Sequence, residues 1–110
     1  MNKRLQLNIY LKGRNRACLV FKRNPFLYRI NNLMYALQFV ANMEQLSLMI
    51  ASGARQNCSF VLIDSRGKKW ILYFEFEAEL ISLKLNTGFV WSGGPVEFRQ
   101  AVANLTKMTG

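Results

Sequence analysis

Residues 4–12 read Arg4-Leu5-Gln6-Leu7-Asn8-Ile9-Tyr10-Leu11-Lys12. Leu5, Leu7, Ile9 and Leu11 recur at every second position, and Arg4, Gln6, Asn8, Tyr10 and Lys12 fill the gaps. Period two belongs to a half-buried strand, whose successive side chains point to opposite faces. Gly13 and Asn15 follow in Lys12-Gly13-Arg14-Asn15-Arg16. Both residue types tolerate positive φ, so the spacing predicts a hairpin loop, then a second strand over Arg16–Arg23. Setting Lys12 opposite Arg16 pairs Tyr10 with Cys18, Asn8 with Val20 and Gln6 with Lys22. On the other face Leu11 meets Ala17, Ile9 meets Leu19 and Leu7 meets Phe21. The apolar face stays apolar in this register, and a slip of one residue would turn it to solvent. The outer face then carries Arg4, Gln6, Asn8, Tyr10, Lys12, Arg16 and Lys22, with Arg14 at the tip. Cys18 and Val20 share that face, so partial cover over them is expected.

Working outward, Pro25 interrupts the alternation, and Phe26, Leu27, Tyr28 and Ile30 form a short apolar connection with the character of an edge strand. Asn is a good N-cap, so a helix is expected from Asn31 or Asn32 to about Ser52, ending at Gly53. Its polar stripe is narrow (Asn31, Gln38, Asn42, Gln45, Ser52), which implies burial on most sides or contact with another subunit. Cys58 to Asp64 reads as a strand, and Asp64-Ser65-Arg66-Gly67 as a turn with Gly in the left-handed conformation. From Lys68 onward, Trp70, Leu72, Phe74 and Phe76 share a face, whereas farther along the apolar set is Ile81, Leu83 and Leu85. The parity changes between Glu77 and Glu79, which demands a bend, bulge or tight turn there. Asn86-Thr87-Gly88 is another turn, and Phe89 to Trp91 a last short strand. Ser92-Gly93-Gly94-Pro95 leads into a helix whose Phe98, Ala101, Val102 and Leu105 recur at helical spacing. The order β-β-(β)-α-β-β-β-β-α predicts an α+β fold: antiparallel sheet packed on a long apolar central helix and a C-terminal amphipathic helix, in a single domain over residues 1–110.

The 110 residues carry 15 Lys and Arg against 6 Asp and Glu, a net charge of +9, and the first carboxylate is Glu44. Lys3, Arg4, Lys12, Arg14, Arg16, Lys22, Arg23 and Arg29 all precede it. A one-sided charge run repels itself and is relieved by solvent or by an anionic partner. The stretch from Asn32 onward lacks acids for a separate reason, namely that it reads as core helix.

Most catalytic chemistries find no footing. The chain has no His, which removes the usual general base. Cys18 and Cys58 lie in or beside apolar strands, are too few for a zinc site or a disulfide framework, and suit a reducing, cytoplasmic setting. No Walker loop or dinucleotide fingerprint occurs, so no cofactor, metal or small-molecule substrate is expected. Ser92-Gly93-Gly94 is read as a helix cap rather than a phosphate loop. Glu75, Glu77 and Glu79 would share a face if the strand continued, but no Lys lies in that run to make a nuclease-like site. No secretory leader is visible, and the longest apolar stretch, Leu33 to Ala51, is too polar to span a membrane.

A non-enzymatic nucleic-acid-binding module is therefore the leading expectation. Arg4, Lys12, Arg14, Arg16 and Lys22 would meet phosphate, Tyr10 would stack a base, and Asn8 and Gln6 would add polar contacts, with single strands favoured over duplex. Arg66, Lys68 and Lys69 form a second basic cluster, relevant if it joins the first in space. The competing expectation is an assembly subunit that self-associates as a dimer through the apolar helix 32–52, its charge serving solubility or an acidic protein partner. An anionic membrane surface is a weaker third partner.

Overall fold

The computed structural model describes residues 5–11, 16–23, 26–86, 88 and 90–109. The elements are β1 (Gln6–Leu11), β2 (Arg16–Arg23), β3 (Phe26–Met34), α1 (Ala36–Ala51), β4 (Cys58–Ile63), β5 (Lys69–Glu77), β6 (Leu80–Leu85), β7 (Val90–Gly93) and α2 (Pro95–Thr109). They build two antiparallel sheets, β1-β2-β3 and β4-β5-β6-β7, with one helix after each. The fold is α+β, as the element order predicted, but with two sheets where one was expected.

The first hairpin takes the register that its alternation demands: Gln6 opposite Lys22, Asn8 opposite Val20, Tyr10 opposite Cys18 and Leu11 opposite Ala17. Leu5, Leu7, Ile9, Ala17, Leu19 and Phe21 are almost wholly buried. They join Leu72, Phe74, Ile81, Leu83 and Trp91 of the second sheet, together with the inner faces of both helices, in one hydrophobic cluster. Helix α2 lies along β1 and beside α1. Its Phe98 meets Phe74 edge to face at 5.4 Å, and Phe74 meets Phe60 at 5.9 Å in the same manner. Such geometry places the positive ring edge on the negative ring face.

The start of α1 differs from the sequence expectation. Asn31 and Asn32 do not cap it; they belong to β3, whose Leu33 and Met34 pair with Ala17 and Arg16 of β2. Pairing there buries Ile30 and Leu33, which outweighs the roughly 1 kcal/mol a good N-cap supplies. The helix begins one residue after Tyr35, which is left-handed (φ 57°) and offers no side-chain cap. Its other end follows expectation: Gly53 takes φ 98°, with Gly53 N–H donating to the Ile50 carbonyl and Ala54 N–H to the Met49 carbonyl. That pair of bonds is the Schellman arrangement. Arg55 then donates to the Ile50 and Ala54 carbonyls and holds Glu79 at 2.9 Å, tying the end of α1 to the β5–β6 turn. Helix α1 is less enclosed than its composition implied. Phe39, Val40, Met43, Leu46 and Ile50 face inward, while Leu37 and Leu48 are 50% and 64% exposed.

The parity change near Glu77 resolves as a tight turn. Glu77 pairs with Leu80 across Ala78-Glu79, and Ala78 takes φ 55°. At the other end of this sheet, Gly93 closes β7 because the ring of Trp91 lies over its Cα; a Cβ added there would collide with the indole. Ser92 sits in β7, bonded to the Ser82 hydroxyl at 3.2 Å. Pro95 opens α2 with Phe98 N–H donating to the Gly94 carbonyl. Trp91 is fully buried, so the ring cannot move aside without opening the core. Gly93→Ala is expected to cost about 1–3 kcal/mol through overpacking, read as a lower urea midpoint at unchanged slope. An unchanged midpoint would contradict this packing.

Candidate nucleic-acid interface

The inner face of the first sheet is used up by the core, so its outer face is set by parity. From β1 it takes Gln6, Asn8 and Tyr10, from β2 Arg16, Cys18, Val20 and Lys22, and from β3 Leu27, Arg29 and Asn31. Gln6, Arg16, Lys22, Arg29 and Asn31 are exposed, Asn8 is half-buried, and Tyr10 is 52% exposed. Cys18 and Val20 run down the middle and are buried, each flanked by longer neighbours. Cys18 lies between Tyr10 and Asn31, with its thiol 3.8 Å from the Asn31 carboxamide oxygen. Val20 lies between Asn8 and Arg29. The face is thus an apolar furrow with polar and cationic walls. Arg4, Lys12 and Arg14, which the sequence assigned to the same face and tip, lie outside the described residues.

None of the six carboxylates belongs to this sheet. Elsewhere they are partly neutralised: Glu79 by Arg55, and Glu75 by Lys84 at 2.6 Å. The Arg55 hydrogen bonds hold the Glu79 carboxyl below its usual range against a smaller opposing effect of partial desolvation. Glu79 sits in the turn while Glu75 and Glu77 remain on β5, so the three acids do not form a row. Among the described residues, Arg16, Lys22, Arg29, Arg66 and Lys69 have no carboxylate within ion-pair distance. The molecule therefore has a cationic sheet and a mixed-charge sheet.

The second basic cluster is placed by the β4–β5 turn. Asp64 accepts from the backbone N–H groups of Arg66 (2.9 Å) and Lys68 (3.0 Å), and Gly67 takes φ 82°. Partial desolvation works against the charge on Asp64. The two backbone donors, with the nearby Trp70 indole and Arg66, outweigh it and hold the carboxyl below its usual range. This turn docks on β3: Ser65 N–H donates to the Asn32 carbonyl at 2.9 Å, and Leu33 bridges to Asp64. Arg66 is thereby brought beside Arg29 at the lip of one cavity, also lined by Asn31, Asn32 and Trp70. Lys68 stands over the Trp70 ring at 4.1 Å from its centroid, a cation–π contact. Lys69, exposed, starts β5.

Arg29 is the member that sequence reasoning passed over. The run Leu27-Tyr28-Arg29-Ile30 alternates, with Ile30 buried and Leu27 and Arg29 exposed. The period-two pattern was present, but two extra apolar residues, Phe26 and Leu27, masked it. No protein-family model matches the chain, and no curated protein or solved structure matches it at a significant level.

Proposed function

We propose that this protein binds single-stranded nucleic acid on the outer face of its first sheet, without catalysing a reaction. The observation that carries the proposal is the juxtaposition of exposed Arg16, Lys22 and Arg29 with exposed Tyr10 on a sheet that has no carboxylate. Cations at the walls attract phosphates and release their counterions. A ring standing beside an apolar furrow offers a base a stacking surface, and stacking tolerates any base. Asn8, Gln6 and Asn31 supply donors and acceptors for sugar, phosphate or base edge. Splayed bases suit such a surface better than a duplex, whose bases are already stacked on each other. Because the acids lie on other elements, the cationic sheet also orients the molecule toward a polyanion before contact.

A reducing, cytoplasmic setting suits this role. Cys18 and Cys58 are both free, and burial pushes the Cys58 thiol up, making it a poor thiolate. Among the described residues, no helix is long and apolar enough to cross a membrane.

Helix α1 favours a second role, self-association. Leu37, Ala41, Glu44, Leu48 and Ala51 form one exposed stripe. Glu44 and Leu48 face Arg99 and Val102 of α2 across an open groove. A two-fold contact would let Glu44 of each copy reach Arg99 of the other. Sedimentation equilibrium should give a dimer that Leu48→Glu dissociates; a strict monomer at high concentration would reject it.

Binding of a labelled 12-mer single strand should weaken with salt, with a log–log slope of about −3 if four phosphates are neutralised. Arg29→Glu should reduce the slope by about one unit, and Tyr10→Ala should weaken binding by roughly 1–3 kcal/mol per stacked base. Absence of binding at low salt, or indifference to both substitutions, would overturn the proposal.

A further inference from the structure

We infer that the cavity between β3 and the β4–β5 turn is a nucleotide pocket that takes one pyrimidine of the bound strand. This rests on the single-strand reading above and adds a site at which the strand would be anchored. The cavity has a volume of about 170 Å³ and is lined by Arg29, Asn31, Asn32, Asp64, Arg66 and Trp70, with Ile30 and Ser65 completing it.

Size comes first. A cavity of about 150 Å³ holds one benzene ring, so this one, open to solvent on one side, has room for a single six-membered ring. Chemistry comes second. Two guanidiniums in the lining only donate, and two carboxamides and a hydroxyl both donate and accept. The Asp64 carboxylate is the one anion, and one of its oxygens already accepts two backbone N–H groups of its own turn. A ligand rich in acceptors is therefore matched, and uracil and thymine present two carbonyl oxygens each. Their 5′-phosphate meets Arg29 and Arg66, both exposed at the lip.

A third observation is independent of size and charge. Among the described residues, the indole nitrogen of Trp70 is the buried side-chain polar atom without a hydrogen-bond partner. Asp64 is close enough for the indole to favour its charge, yet it lies outside hydrogen-bonding geometry. Trp70 lines the cavity. That nitrogen is sealed from solvent beside Asp64, so an entering base meets the Trp70 ring rather than its N–H. The pocket also continues the outer face, since Arg29 and Asn31 belong to both, so a strand lying along the furrow reaches it without a gap.

Trp70 provides the readout, because Trp91 is sealed in the core. The full-length protein would be titrated with a thymidine 12-mer, an adenosine 12-mer and inorganic phosphate, following tryptophan emission, with anisotropy of the labelled strands measured in parallel. The thymidine strand should quench emission saturably and bind at least about fivefold tighter than the adenosine strand. Trp70→Phe should abolish the quench while leaving the circular dichroism spectrum unchanged. Arg66→Ala should weaken thymidine-strand binding about tenfold or more. If both strands bind equally by anisotropy, with emission unmoved and Arg66→Ala like the wild type, the pocket assignment falls while the sheet-face proposal stands. If millimolar phosphate alone reproduces the quench, the cavity is an anion site and the nucleotide assignment is overturned. If no strand binds at all, the single-strand reading itself has failed.

Discussion

Burial of the Leu7, Ile9, Leu19 and Phe21 layer fixes everything else about the first sheet. These side chains join the core that both helices complete, and strand pleating leaves their neighbours no choice but the opposite face. A one-residue slip of β2 would expose Leu19 and Phe21 and bury Arg16 and Lys22. Charged groups without partners are among the costliest things to bury. The same constraint that stabilises the sheet therefore concentrates its cations on one surface. The proposed binding face is thus the side of the sheet that the core leaves to solvent.

The seam between the two sheets follows from a second, local constraint. Asp64 organises its turn by accepting two backbone N–H groups, and the turn then donates Ser65 N–H to the Asn32 carbonyl. That bond joins the edge strand of the first sheet to the end of β4. Docking covers part of an otherwise open edge and encloses the polar cavity. Arg66, an ordinary turn residue in isolation, becomes part of the cationic surface only because of this contact.

Much of this was legible in the sequence where periodicity was strong. The register of β1 with β2, the Gly53 terminus, the Gly67 turn, the reversal between Glu77 and Glu79 and the Pro95 start all follow from local pattern and conformational preference. The helix start was misjudged because Asn31 and Asn32 carry a local capping preference that pairing with β2 overrides. The exposure of Leu37 and Leu48 escaped because composition does not say how much of a helix its neighbours can cover. The placement of Arg66 beside Arg29, 37 positions apart in sequence, is a tertiary fact with no periodic signature. Gly93 reads as part of a helix cap in the sequence, and only the position of the Trp91 ring explains it.

The central claim is one of location: a single strand lies on the outer face of β1–β3 and at the seam with the β4–β5 turn. Backbone amide shifts of isotopically labelled protein, mapped during titration with a single-stranded 12-mer, test it most directly. The account predicts shifts concentrated at residues 6–10, 16–22, 27–32 and 64–70, with β6, β7 and the exposed stripe of α1 little changed. Shifts confined to α1 and α2, or none anywhere at low salt, would contradict it.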